Sequence, residues 1–322
     1  MAKQQSETQS CFRTSIGGQA LIEGIYMRGP DKQSVVVRDK DGQLVIKTEE
    51  LKLTREHYPI LGIPFIRGTF AFLGTMVEGV KALMYSADFY PEEAGEPSKF
   101  DRWLEAHVDS KKLDGVIITL ATVLAVCFSV GLFFLLPTVI ASLVKLVVPM
   151  NVLAHNLVEG VVRVAVFMLY LVLVSKMKDI RRVFSYHGAE HKTIFCYERG
   201  LPLTVENVRE MPRHHPRCGT SFMFVVIVLA ILCYSVLFSF VTPPNTLVRI
   251  LCQLLLLPVI VGIAYEINRY VGRHDNLVTR IATAPGLWMQ NFTTFEPDDS
   301  MIEVGIESLK QVLPEVSGKD QW

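Results

Sequence analysis

Four long apolar runs constrain this chain more than any other feature of its sequence. They lie at 115–136, 161–175, 222–241 and 250–265, and the first and third are uncharged over a length that crosses the hydrocarbon core of a bilayer. Half of the 322 residues are apolar. Their concentration in separate runs is typical of membrane spans and not of one soluble core. We therefore predict four transmembrane helices, the second starting as early as Asn156.

Basic residues predict how these spans are oriented. The loop 176–221 carries nine lysine and arginine residues, and Arg269, Arg273 and Arg280 follow the fourth run. The two opposite connections offer little beyond Lys145 and Arg249. By the positive-inside rule, the loop and both termini are predicted to be cytoplasmic, in a multi-pass protein of the cytoplasmic membrane. The bilayer is thus an expected partner. The formal net charge of zero gives no reason to expect a nucleic acid.

The remaining segments predict a small soluble part and flanking helices. Two β-branched runs at 34–39 and 44–48 flank an Asp-Gly pair, which predicts a hairpin within an N-terminal cytoplasmic α+β unit, 1–58. An interfacial helix at 68–84 and a charged linker are predicted in 59–112. The four-span membrane domain, 113–268, includes the loop 176–221 and a connection at 137–156. The C-terminal cytoplasmic segment, 269–322, is predicted to contain a helix capped by Asp299 or Ser300 and to fray over 317–322.

The loop 176–221 contains a pattern typical of metal sites. His187 and His191 in H-x-x-E-H share one face of a helix, and Glu190 lies beside them. In this pattern two imidazoles bind zinc or another divalent transition metal, and the carboxylate can act on a metal-bound water. Gly188 is expected to weaken that helix. The alternative is that these side chains only bond the loop to lipid headgroups or neighbouring loops.

A third ligand is needed, and the candidates are His215, Cys218 and Glu266. A thiol in a reducing cytoplasm is more often a ligand or free than part of a disulfide. If the second span continued as a straight helix, His187 would stand roughly 18 Å beyond Ser175 and could not meet Cys218. We therefore predict a break near Lys176. Glu266 ends an apolar run, where a charge is either functional or paired, for example with Arg269.

Four motifs together resemble a known family. They are GGQALIEGIYMRGP, YHGAEHKTIFCYE, HPRCGTSF and PGLWMQNFTTFEPDD, in this order from about Ile16 to the C-terminal helix. They are similar to the domain of unknown function 1385 family of YqhQ-like bacterial multi-pass membrane proteins. The resemblance implies a membrane location, and it implies no activity. The further positions that we single out on these motifs and beside Glu266 are Gly18, Glu23, Arg28, Lys192, Asp275, Gln290 and Thr294.

Three functions follow from these observations. The first is a membrane scaffold or assembly factor, in which a zinc site orders the loop and the soluble parts contact a membrane or cytoplasmic protein. The second is a membrane-associated zinc hydrolase or peptidase with Glu190 as general base. The third is an ion or small-solute transporter with Glu266 near its path. It ranks last because the sequence offers neither a second intramembrane charge nor an evident repeat.

Overall fold

The computed structural model describes residues 12–51, 62–90, 110–274, 276–316 and 318–321, with the side chains of 110–118 excepted. The chain divides into two compact units. One contains 1–90, 171–229 and 258–322, and the other contains 91–170 and 230–257. The predicted linker after the interfacial helix lies largely outside the described residues, as does Asp275.

An antiparallel sheet forms the N-terminal part of the first unit. Its strands are β1 (Gly17–Leu21), β2 (Gly24–Arg28), β3 (Lys32–Arg38) and β4 (Leu44–Glu50), in that spatial order. The predicted hairpin is confirmed as β3 and β4, with Val36 opposite Ile46. Gly42 supplies the positive φ of the turn, at 81°. The glycine-rich stretch before it forms β1 and β2.

Two helices cover the sheet and complete its core. They are α5 (Lys178–Glu198) and α10 (Asp299–Val312), and both contact β1, β2 or β3. The predicted apolar stripe of α10 is buried at Ile302, Ile306 and Leu309. Its cap is Asp298 and not Asp299 or Ser300, because the Asp298 carboxylate accepts the Met301 N–H at 3.0 Å. The predicted fraying is wrong for 318–321, where Asp320 accepts the Thr14 hydroxyl at 2.6 Å.

In the described residues, four helical segments are long and apolar enough to cross a membrane, and they indicate a multi-pass membrane protein. The first, Thr119–Val147, runs from α2 (Ser110–Val130) through a π-helical turn (Gly131–Leu135) into α3 (Leu136–Val147). The others are α4 (Val152–Val174), α7 (Gly219–Phe240) and α8 (Thr246–Arg273). The predicted connection at 137–156 is wrong for 137–147, which form α3 and continue the first span-length segment. Pro137 gives its i−4 carbonyl, that of Phe133, no N–H, and this carbonyl accepts the Arg163 Nε–H at 3.0 Å instead.

Three further helices complete the first unit. They are α1 (Ile66–Ala87), α6 (Val205–Arg209) and α9 (Leu277–Thr293). The predicted interfacial helix is present as α1, and its interfacial position stays a prediction. One side of α1 packs against the end of α8, where Gly68 contacts Tyr265 and Gly262 contacts the Phe65 carbonyl. The other side exposes Phe70, Leu73, Val77 and Val80.

Candidate metal centre

The H-x-x-E-H pattern lies in the middle of α5, which starts after a break in the chain. Helix α4 ends at Val174 and α5 begins at Lys178, with Met177 in extended conformation at ψ 132°. The predicted break near Lys176 is therefore confirmed. The break lets α5 pack on the sheet instead of continuing α4 in a straight line.

Helix α5 continues through Gly188, and this glycine permits a close contact. A Cβ at this position would lie 2.1 Å from the carbonyl oxygen of Phe295, so only glycine fits. The expected penalty of a helical glycine, about 1 kcal/mol, is accepted here because the segment after α9 must pass directly over α5. The last residue of α9, Thr293, thereby reaches the site.

Three side chains in this unit converge as the ligands of a metal ion would. The donor atoms of His187, His191 and Cys218 all lie within 4.8 Å of one another, the single such group found in the described residues. The Nε2 atom of His187 is 3.2 Å from the Cys218 sulfur. Cys218 immediately precedes α7, so the group joins the middle of α5 to the start of a membrane-span helix.

Backbone carbonyls orient both imidazoles. The Nδ1 atom of His187 is 2.8 Å from the carbonyl oxygen of Thr293, and Nδ1 of His191 is 2.5 Å from that of Arg213. A ring nitrogen facing a carbonyl oxygen carries the proton. In the neutral form of each ring the lone pair therefore lies on Nε2. A histidine that ligates a metal through one nitrogen usually donates its other N–H in this way.

Charge couples Cys218 to the neighbouring histidines, and a metal that bound His187 would have to displace a proton from its ring. Burial alone would raise the pKa of Cys218, but the adjacent His187 and His191 hold it well below its usual value. Burial alone would lower the pKa of His187, but the neighbouring Cys218 thiolate raises it to about 9. The protein thus favours the thiolate, which is the form of cysteine that binds metals.

Glu190 lies beside the three donors but is not one of the group. It is buried, and its Oε1 atom accepts the backbone N–H of Gly18 at 3.0 Å. Its Oε2 atom is buried without a hydrogen-bond partner in the described part of the chain. Burial raises the pKa of Glu190. A buried carboxylate oxygen without a partner is costly unless a ligand or water meets it.

His215, predicted as a ligand, is not one of the three donors but lies against the ring of His191. Gln290 holds its backbone by accepting the N–H at 2.7 Å and donating to the carbonyl at 2.8 Å. The Nε2 atom of His215 lies 3.8 Å from a carboxylate oxygen of Glu198. The centre of the His215 ring lies 5.5 Å from that of His191. Burial lowers the pKa of His215 to about 4. His215 is therefore neutral, and it packs against the ring of His191.

Glu266, also predicted as a ligand, is already engaged in an ion pair. Its carboxylate pairs with Arg67 of α1, whose Nε atom is 2.7 Å from Oε1, and not with Arg269 as proposed from the sequence.

Other predicted positions form structural contacts. Lys192 pairs with Glu296 and donates to the Arg209 carbonyl at 2.9 Å, and Thr294 donates to the Gln290 carbonyl at 2.8 Å. Glu23 accepts from Arg182 and Tyr186, Gly18 contacts the Tyr26 carbonyl, and Arg28 pairs with Gly17 in the sheet.

Sequence reasoning missed a buried ionic cluster in the second unit. Glu159 and Arg163 flank the start of the predicted apolar run 161–175, but α4 begins at Val152 and both lie well inside it. Glu159 accepts hydrogen bonds from Arg163 at 2.8 Å and from Arg249 of α8 at 2.7 and 3.0 Å. The expectation that the predicted spans contain no second charge is therefore wrong. A signal was available, since an acidic and a basic residue four apart in an apolar run need partners.

Known proteins add a family but no activity. The model of a family described as "Protein of unknown function (DUF1385)" matches residues 63–315. The chain is 34% identical over 307 residues to "Uncharacterized protein YqhQ" of Bacillus subtilis (strain 168), covering 92% of each chain. No solved structure matches the chain. The chain belongs to the DUF1385 family, as its four motifs predicted.

Proposed function

We propose that this DUF1385 protein is a membrane-bound, metal-dependent hydrolase whose centre is formed by His187, His191 and Cys218. The observation that carries the proposal is the convergence of three donor atoms beside a buried carboxylate oxygen that has no partner in the described residues. Zinc is the metal proposed, since two imidazoles and a thiolate suit zinc or another late divalent ion better than magnesium or calcium.

The number of donors supports a catalytic site over a purely structural one. Structural zinc sites use four protein ligands, whereas catalytic sites use three and leave one position open. The described residues supply three donors in mutual range, and Glu190 is outside that range. A bound zinc ion would polarise an ester, amide or phosphoester bond and supply hydroxide at neutral pH. In this proposal Glu190 accepts the proton of the attacking water at Oε2.

A scaffold role is the second candidate, and one observation favours it. The donors come from α5 and from Cys218, the residue directly before α7. A metal held by these side chains would fix the sheet-packed helix to the start of a span, which orders the unit without any reaction. Transport gains no such support, because the carboxylate of Glu266 is paired with Arg67.

Metal analysis of the purified protein tests the centre. We expect about one equivalent of metal in the wild type and its loss in His187→Ala and Cys218→Ser. Cys196→Ser is the matched control, because Cys196 is a buried thiol on the same helix that faces the carbonyls of Leu201 and Pro202. A wild type without metal, or a Cys196→Ser variant as depleted as Cys218→Ser, would contradict the proposal.

Glu190→Gln then separates the two roles. In the hydrolase the variant keeps its metal and fails to complement a deletion strain, because the amide cannot accept the proton. In the scaffold it keeps its metal and complements. Loss of metal in Glu190→Gln would instead make Glu190 a fourth ligand and would refute the open position on which the hydrolase proposal depends.

A further inference from the structure

The buried ionic cluster of the second unit, formed by Glu159, Arg163 and Arg249, lies within span-length helices. Glu159 and Arg163 share one face of α4, roughly 10 and 16 Å from its start at 1.5 Å per residue. Arg249 lies near the start of α8 and donates to Glu159 at 2.7 and 3.0 Å. The cluster thus extends from one end of a span toward its middle. None of its residues belongs to the proposed metal centre.

The charges of the cluster do not balance. Glu159 is the one carboxylate in 119–170 and 230–257, the parts of the second unit whose side chains are described, and it faces two arginines. The other charged side chain in these parts is Lys145, which is also a cation. One positive charge of the cluster is therefore left over among the described residues. A charge within a span is costly unless it is paired, so the cluster favours a negative partner.

Both guanidinium groups keep donors for such a partner. Arg163 donates from Nε to the Phe133 carbonyl at 3.0 Å and from Nη2 to Glu159 at 2.8 Å. Arg249 likewise uses Nε and Nη2, toward Glu159 and Asn156. Aromatic rings lie over the flat faces, those of Phe134 and Tyr234 over Arg163 and that of Phe238 over Arg249. A guanidinium has five N–H donors, so within the described residues Nη1 of each arginine remains for a ligand.

Buried polar atoms without partners lie beside the arginines. The hydroxyl of Ser235 and Oε1 of Gln253 are buried and have no hydrogen-bond partner in the described part of the chain. Asn156 joins Ser235 to Arg249, since it donates to the Ser235 carbonyl at 3.4 Å and accepts from Arg249 at 2.7 Å. Gln253 donates to Glu159 at 2.7 Å. A buried polar atom without a partner needs a ligand or a water, and a hydroxyl can donate to an anion.

The first span-length segment is irregular where it meets the cluster. It contains the π-helical turn Gly131–Leu135, and Pro137 leaves the Phe133 carbonyl to accept from Arg163. Thr138 follows and donates to Glu159 at 3.0 Å. Single π-helical turns within helices are frequent at functional sites. This segment, α4 and α8 thus all direct polar groups at one place.

We propose that the second unit binds one small monovalent anion, a halide or a carboxylate group, beside Arg163 and Arg249. A single negative charge would neutralise the cluster, whereas a divalent anion would reverse the sign of its excess. Hydrogen bonds from a guanidinium to an anion are charge-assisted and strong, the more so away from water. The site is independent of the metal centre and of the proposed hydrolysis.

The test uses full-length protein purified in a non-ionic detergent and stripped of lipid. Chloride and acetate are titrated separately, and broadening of the NMR line of each anion reports its binding. Arg163→Gln leaves one carboxylate and one arginine, whose charges balance, and should weaken binding about ten-fold, the effect of losing one charge-assisted contact. Lys145→Gln is the matched control, because Lys145 is an exposed cation in α3 that makes no hydrogen bond to the cluster within the described residues. It should change binding by less than about two-fold.

The outcomes separate the two anions and can overturn the site. Broadening of the chloride line alone identifies a halide site, and broadening of the acetate line identifies a site that accepts a carboxylate. Equal binding by wild type and Arg163→Gln, equal losses in Arg163→Gln and Lys145→Gln, or no broadening of either line overturns the proposal.

A second variant carries the test with the opposite sign if Arg163→Gln does not fold. Glu159→Gln adds one positive charge to the excess, so the anion that binds should raise its thermal midpoint more than that of the wild type. Equal rises in the two proteins, or no rise in either, would contradict a site that depends on the charge of the cluster.

Discussion

Replacing Glu159 by glutamine tests whether the second unit is held together by buried charge. The Glu159 side chain accepts five hydrogen bonds from described residues, two of them from Arg249 and one each from Arg163, Thr138 and Gln253. Glu159 is 2% exposed and Arg163 7%. One carboxylate therefore compensates two guanidinium groups away from water, and Glu159→Gln removes it with little change in shape.

The expected loss is large because the partners stay buried. Removing one member of a buried ion pair typically costs about 3–5 kcal/mol, since the remaining charge is left uncompensated. At roughly 2–4 °C per kcal/mol, the thermal midpoint in detergent should fall by on the order of 10 °C. The double variant Glu159→Gln/Arg249→Gln returns the cluster to its original net charge and should recover part of that loss.

The control is an exposed pair of the same kind. Glu78 and Lys81 are three residues apart on α1, with the lysine side chain 66% exposed. Exposed pairs contribute about 0.5 kcal/mol or less, so Glu78→Gln should shift the midpoint by about 1 °C. If Glu159→Gln shifts it no more than Glu78→Gln, water or lipid headgroups already compensate the arginines, and the reasoning from burial fails.

Three other predictions concern the first unit. Gly188→Ala should destabilise the protein by about 1–3 kcal/mol in thermal unfolding, because the new Cβ would meet the Phe295 carbonyl. The control Gly74→Ala in α1 adds a Cβ that meets no described atom within 4 Å, so it should be neutral or stabilising. Equal effects of the two substitutions would refute the close contact at Gly188. Asp298→Ala should lower the free energy of unfolding by about 1 kcal/mol, because α10 loses its cap. Asp299 forms only an exposed ion pair with Arg209, so Asp299→Ala should cost less than half of that. The reverse order would restore Asp299 as the cap. Zinc should slow the alkylation of Cys218, followed by peptide mass mapping, without changing the alkylation rate of Cys196, and a chelator should restore the rate at Cys218. An equal rate of Cys218 alkylation with and without zinc would contradict the ligand set.

Local patterns predicted the elements that depend on local physics. The four apolar runs became span-length helices because their composition alone requires burial in lipid or protein. The Asp-Gly pair became the β3–β4 turn because its glycine accepts a positive φ. Errors occurred at element ends. The sequence placed the cap of α10 one or two residues late, since Asp298, Asp299 and Ser300 are all good caps and only tertiary packing selects among them.

The candidate site could be predicted only in its local half. Helical spacing brings His187 and His191 together, so their pairing followed from five residues of sequence. The choice of Cys218 over His215 and Glu266 depended on contacts that no spacing reveals. The Gln290 side chain hydrogen-bonds the His215 backbone, and Arg67 forms an ion pair with Glu266. Both partners are distant in the chain, so a single sequence contains no signal that joins them.

Arg249 shows how far this limit extends into the argument for orientation. In the predicted orientation, Arg249 is counted among the few basic residues of the connections opposite the loop 176–221. In the structure Arg249 lies in α8 and pairs with Glu159 of α4. The positive-inside rule counts lysine and arginine residues and not net charge, so this pairing leaves the count unchanged. The cytoplasmic placement of the loop 176–221 stays a prediction. A charge within an apolar run predicts that a partner exists, and only the fold identifies it.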